Sequence, residues 1–134
     1  MKLCKTGLFG IFLIGILALL SCTPTLVPKG WEFLAKREVS FSSSHELIEL
    51  PMGGRPLKSL LIVDRMNDIE IYGLTISFEK GDDFEPPIRL RMKANIDSHA
   101  LDLPGDGRRV RSVDIRYRKI MGTTRRAVIE LWGK

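Results

Sequence analysis

The sequence predicts an all-β protein: a single antiparallel β-sandwich, or a partly open barrel, of about six to eight strands behind an apolar leader. Three observations predict it. Apolar and polar residues alternate in several segments, the pattern of a strand with one buried face. Turn sequences rich in glycine, proline and aspartate separate those segments. No segment keeps a 3.6-residue apolar period, and no internal repeat is evident. At 134 residues the chain has room for one domain. That size excludes a propeller, a multi-domain enzyme and a barrel of alternating strands and helices.

The elements run in order along the chain. Trp31 to Phe41 reads as a first strand, with Trp31, Phe33, Val39 and Phe41 in one phase. Leu34 and Arg37 break that phase, and a short helix is the alternative there. His45 to Leu50 is a short strand, ended by the turn Pro51-Met52-Gly53-Gly54. Leu60 to Val63 is a continuous apolar run, expected of a strand buried on both faces. Ile69 and Ile71, then Leu74, Ile76 and Phe78, alternate with a slip at Tyr72-Gly73, which predicts a β-bulge. Gly81-Asp82-Asp83 is a turn. Ile88 to Asp97 alternates over ten residues and predicts a long strand, which Pro86-Pro87 keeps from starting earlier. Pro104-Gly105-Asp106-Gly107 is a tight turn. Leu101 and Leu103 are expected to tuck under the sandwich beside it, and Arg108 and Arg109 to bond loop carbonyls. Val113 to Tyr117 and Ala127 to Trp132 are strands, divided by Gly122-Thr123-Thr124.

The leader is a different object. Of the first 21 residues 14 are hydrophobic and none is acidic. Gly7 to Leu20 is an uncharged run of 14 residues, preceded by Lys2 and Lys5. A spanning helix needs about 20 apolar residues, so the run suits the core of a signal peptide better. A small-x-small cleavage site fails because Leu19 is large. Leu19-Leu20-Ser21-Cys22 instead resembles the lipobox of bacterial lipoproteins. That resemblance implies removal of residues 1–21 and a diacylglycerol thioether on Cys22, which then becomes the N-terminus and holds the protein to the membrane. Residues 22–30 would be the lipidated cysteine and a linker with two prolines, and residues 31–134 the sandwich. Thr23, where inner-membrane lipoproteins of this type usually carry Asp, implies the periplasmic face of the outer membrane. With Cys22 alone in the mature chain no internal disulfide forms, so the domain must be stable through its core.

Motifs for chemistry are few. Gly53-Gly54-Arg55-Pro56-Leu57-Lys58-Ser59 ends like a phosphate loop but puts Pro56 where backbone donors are needed, so it reads as a turn. His45 and His99 are far apart, and Asp82, Asp83 and Glu85 do not follow the calcium-loop spacing. Neither a metal nor another cofactor is expected. The enzymatic alternative is an envelope glycan hydrolase using His99 with Asp97 or Asp102. Charge is more informative. Arg108 to Arg126 holds eight bases against one acid, Asp114, in a chain of net charge +5. Arg116 and Arg118 share one strand face, and Arg89, Arg91 and Lys93 share another. If those strands lie on one sheet, Arg89, Arg91, Arg116 and Arg118 form a basic field for anionic lipid or acidic glycan. The alternative is a solvated face whose arginines pair with Asp64, Glu70 or Glu79. Nucleic acid is not expected, because stacking aromatics are sparse among these bases.

The stretch from Ser98 to Tyr117, with Leu103-Pro104-Gly105, then Arg108 or Arg109, then Val113 to Tyr117, resembles a family of small exported bacterial β-domains of unknown function. The closing strand Ala127 to Gly133 fits the same pattern. The resemblance implies one β-domain over roughly residues 31–133, and neither an activity nor catalytic residues. The expected role is a non-enzymatic envelope module that binds a partner protein or an anionic component. The alternatives are the glycan hydrolase and a structural subunit of an envelope assembly. A Cys22→Ser chain should appear in the soluble fraction instead of the membrane fraction. Membrane retention of the processed variant would remove the lipid anchor.

Overall fold

Alternating segments of this kind bury one face each, and here they do so against one another. The computed structural model describes residues 27–120, 122 and 126–134. Cys22 and the leader lie outside the described residues, as does most of the Gly122-Thr123-Thr124 turn. Eight strands are present among the described residues: β1 (Glu32–Val39), β2 (His45–Glu49), β3 (Ser59–Arg65), β4 (Ile69–Phe78), β5 (Leu90–Met92), β6 (Ser98–Asp102), β7 (Val110–Lys119) and β8 (Ala127–Gly133). They form two four-stranded antiparallel sheets, ordered β1-β8-β3-β6 and β2-β7-β4-β5. The sheets stack as an open sandwich, not a closed barrel.

Side-chain parity fills the space between the sheets. Leu60 and Ile62 of β3 and Ile129 and Leu131 of β8 meet Ile71, Leu74 and Ile76 of β4 and Val113, Ile115 and Tyr117 of β7. All ten are essentially inaccessible to solvent. Tyr117 keeps its phenol satisfied by donating to the Ser40 carbonyl at 2.8 Å, which ties β7 to the β1–β2 loop. Leu61 and Val63 point the other way, yet both are buried beside Trp132 and Glu130 in the ladder. The Leu60–Val63 run is therefore covered on both faces. Leu103 joins the core and Leu101 packs against it.

Two irregularities match the sequence pattern. The β4–β7 register slips between Ile71 and Gly73, so the bulge sits at Tyr72. The β1–β8 register slips between Phe33 and Ala35. That second bulge explains why Leu34 breaks the phase of β1: the segment is a strand throughout, not a helix, and the extra residue turns Leu34 toward the core.

One expectation is overturned. The ten-residue strand over Ile88 to Asp97 shortens to Leu90–Met92. Asp68 Oδ1 accepts the Ala94 N–H at 2.9 Å, and Asp97 Oδ2 accepts the Lys93 N–H at 2.8 Å. Side-chain carboxylates thus take donors that a continuing ladder would use. The chain turns at Asn95, whose φ is 60°, and Ile96 is left 67% exposed. Beyond that turn Ser98–Asp102 forms an additional edge strand, β6, paired to β3.

Gly133 closes one end of the sandwich. A Cβ there would stand 2.7 and 2.9 Å from the two Leu57 methyls and 3.0 Å from Leu34 Cδ1. Gly133→Ala should therefore cost about 1–3 kcal/mol through overpacking. Urea denaturation of Gly133→Ala, Leu57→Ala and the double variant should show less than additive loss, because removing the Leu57 methyls makes the room.

Candidate functional site: a basic sheet face and a buried carboxylate

Antiparallel pairing puts ladder partners on the same face. Glu70 of β4 lies opposite both Arg118 of β7 and Arg91 of β5, and Gly73 lies opposite Arg116. Arg89, just before β5, reaches the same carboxylate. All four predicted arginines therefore share the outer face of the second sheet. The order β7-β4-β5 assembles them.

Glu70 is the hub of that face. It is only 8% exposed and accepts from Arg118 Nε and Nη2 and from Arg89 Nε, each at 3.0 Å. These bonds pull its carboxyl pKa down to about 2. The same bonds hold the Arg118 guanidinium above its usual range. Arg118 also lies 5.8 Å from the centre of the Tyr72 ring, which the bulge leaves exposed. Arg116 lies across Gly73, where a Cβ would overlap its guanidinium. Among the described residues neither Arg116 nor Arg91 has an acid within ion-pair distance. Four arginines therefore share this face with Glu70 and with Asp114, two residues before Arg116 on β7. Of the other expected acid partners, Glu79 accepts the Gly53 N–H at 2.8 Å instead.

Asp64 is not on this face at all. It follows Leu60 and Ile62 in phase, so it points between the sheets and is fully buried. Neither carboxyl oxygen has a hydrogen-bond partner among the described residues. Burial pushes its pKa up to about 8, and the nearby Asp68 and Asp97 carboxylates add to the effect. The turns beside it are tight: Asn95 N–H bonds the Asp64 carbonyl at 2.9 Å, and Met66 adopts φ 79°. The apolar run Leu60 to Val63 carried the signal, since its phase extends to Asp64.

The hydrolase residues are not brought together. His99 on β6 pairs with Ile62, and Asp102, of opposite parity on the same strand, accepts from Ser59 Oγ at 3.0 Å. Asp97 is engaged by the Lys93 N–H. Among the described residues no group of three or more His, Cys, Asp or Glu could hold a metal. The described surface has clefts at two places that bear on the arginines and on β1. One, of about 400 Å³, is lined by Pro56, Glu79, Lys80, Gly107, Arg108 and Arg109. Its arginines serve the fold: Arg108 stacks 3.6 Å over Phe78 and donates to the Lys80 carbonyl, and Arg109 donates to the Gly54 carbonyl. The other, of about 200 Å³, is apolar and lies where β1 begins.

A family model described as a domain of unknown function, DUF2541, matches residues 11–133. The chain belongs to the DUF2541 family. The DUF2541 match spans all eight strands, and it also takes in Cys22 and the linker. No curated protein and no solved structure matches the chain.

Asp64 makes a prediction about pH. Its folded pKa, about 8, lies above the ordinary aspartate value of 3.8. Unfolding therefore releases a proton between those values, and stability falls as pH rises through that window, by about 1.4 kcal/mol per pH unit from this group. Below the window the carboxyl is protonated in both states and the penalty is absent. Thermal unfolding from pH 4 to 9 should show this decline, and Asp64→Asn should flatten it.

Proposed function

We propose that this protein is a membrane-tethered bacterial envelope lipoprotein that binds an anionic group on the outer face of its second sheet. The tether rests on the lipobox-like Leu19-Leu20-Ser21-Cys22 behind an apolar leader. The binding reading rests on one observation: four arginines, from β7 and from β5 with the residue run just before it, gather on either side of β4 around Glu70, and two of them have no ion-pair partner among the described residues. Glu70 holds Arg89 and Arg118 in place and cancels one charge. Arg91 and Arg116 flank that pair and supply the excess. A fixed guanidinium pair beside two open ones presents planar donors suited to phosphate or carboxylate.

A phosphate or a carboxylate could come from lipopolysaccharide or from an acidic polysaccharide. The full chain, purified in detergent, should be titrated with lipopolysaccharide and with polygalacturonate at rising salt. Binding should weaken with salt, and Arg91→Ala with Arg116→Ala should weaken it roughly tenfold at low salt. Glu70, Arg89 and Arg118 are left intact in that variant, so the sheet is preserved. Affinity that ignores both salt and the double substitution would overturn the reading.

A further inference from the structure

The two ends of the sandwich differ. At the end where β1 begins, apolar side chains reach solvent. Phe33 is 49% exposed and Met52 is 81% exposed. Phe33 stacks edge-on against Trp132, with ring centres 5.3 Å apart. Trp31 precedes β1 directly, with the Lys134 ammonium 6.0 Å from its ring centre. The Pro51–Gly54 loop carries Met52 to the same end, where Pro51 and Gly54 line the small apolar cleft together with Phe33 and Leu34. Lys29, Lys58 and Lys134 are exposed at this end, as are Asp102, bonded to Ser59, and Asp106. Glu32, the acid on β1's first position, is neutralised by Arg55 at 2.9 Å.

We infer that this end of the sandwich lies against the bilayer, with Trp31, Phe33, Met52 and Trp132 in the headgroup region and the surrounding lysines on anionic lipid phosphates. The inference rests on the lipid tether proposed above. Three observations support a bilayer as the occupant. The apolar leader and Cys22 precede this end directly, and the linker Thr23–Gly30 extends at most about 28 Å. Tryptophan and other amphipathic aromatics are favoured where hydrocarbon meets water, because the ring is apolar while the indole N–H keeps a polar partner, which for Trp132 is Glu130 Oε2 at 3.2 Å. Lys29, Lys58 and Lys134 offer ammonium groups beside the apolar centre that can meet headgroup phosphates.

The placement has a consequence for the arginine face. Arg118 stands eight residues along β7 from Val110, which lines the membrane-end cleft. At about 3.3 Å per residue the Glu70 hub is roughly 25 Å from that end. That exceeds the Debye length of about 8 Å at physiological salt. The arginines then stand clear of the anchoring leaflet, and their anion is an acidic glycan in preference to that leaflet's headgroups.

The chain has two tryptophans, Trp31 and Trp132, and both belong to the proposed contact. That makes a direct test. The full chain, purified from membranes in detergent, is reconstituted into phosphatidylcholine vesicles with one part in about three of phosphatidylglycerol, made with or without brominated acyl chains. Flotation and tryptophan emission are read together, in the natural chain and in Trp31→Phe and Trp132→Phe. Each remaining tryptophan should lose about half of its emission in brominated vesicles, as a ring at the interface would. Phe33→Glu with Met52→Glu changes only exposed side chains, and it should restore most of the emission while flotation persists. Equal emission in the two kinds of vesicle, with the protein still floating, would overturn the docking and leave the tether standing. Failure to float would remove the tether and the docking with it. Quenching that survives the double glutamate variant unchanged would also count against this surface.

Discussion

The ladder between the ten-residue strands β4 and β7 is the constraint on which the rest of the molecule depends. Its inward side chains, Ile71, Leu74, Ile76, Val113, Ile115 and Tyr117, make one half of the core. Its outward side chains make the charged face. A slip of one residue would send the apolar set into water and the arginines into the core. Burial of that many large side chains, at about 1.5–3 kcal/mol each, holds the register. The bulge at Tyr72 is where it yields beside the arginines. There the glycine next to the bulge admits the Arg116 side chain, and Tyr72 is released to the surface next to Arg118.

Two acids show how completely environment sets charge. Glu70 accepts three guanidinium hydrogen bonds at a sheet surface and ionises more readily than a free carboxyl. Asp64 has no hydrogen-bond donor on its oxygens among the described residues and resists ionisation. The first fixes Arg89 and Arg118 beside Arg91 and Arg116. The second is a standing cost inside the sandwich, since a buried polar group without a partner keeps its desolvation penalty. It lies beside the Met66 and Asn95 turns, at the end away from β1's start.

Much of the fold was legible because alternation reports burial directly. The core positions of β3, β4, β7 and β8 follow from parity, as does the bulge before Gly73. The structural reading of Arg108 and Arg109 also holds, since both donate to loop carbonyls. The long strand at Ile88 to Asp97 misled for a physical reason. Alternation records which side chains differ in polarity, but not which backbone donors have been claimed. Asp68, far off in sequence, and Asp97 claimed two of them. The edge strand β6 was hidden because an edge needs little apolar content to pair.

For function the division is similar. The sequence alone carried the apolar N-terminal run, the lipobox-like Leu19 to Cys22, the excess of arginine after Arg108 and the β-rich class, because each is a matter of composition or of local period. Only the tertiary structure decided that Arg89 and Arg91 join Arg116 and Arg118, that Glu70 neutralises one charge among them, and that His99 is kept apart from Asp97 and Asp102. It also decided that Phe33 and Trp132 come together at the end where β1 begins. These are facts of strand order. Hydrogen-bonded neighbours in a sheet lie about 4.8 Å apart whatever their distance along the chain, and no local pattern encodes which strands become neighbours.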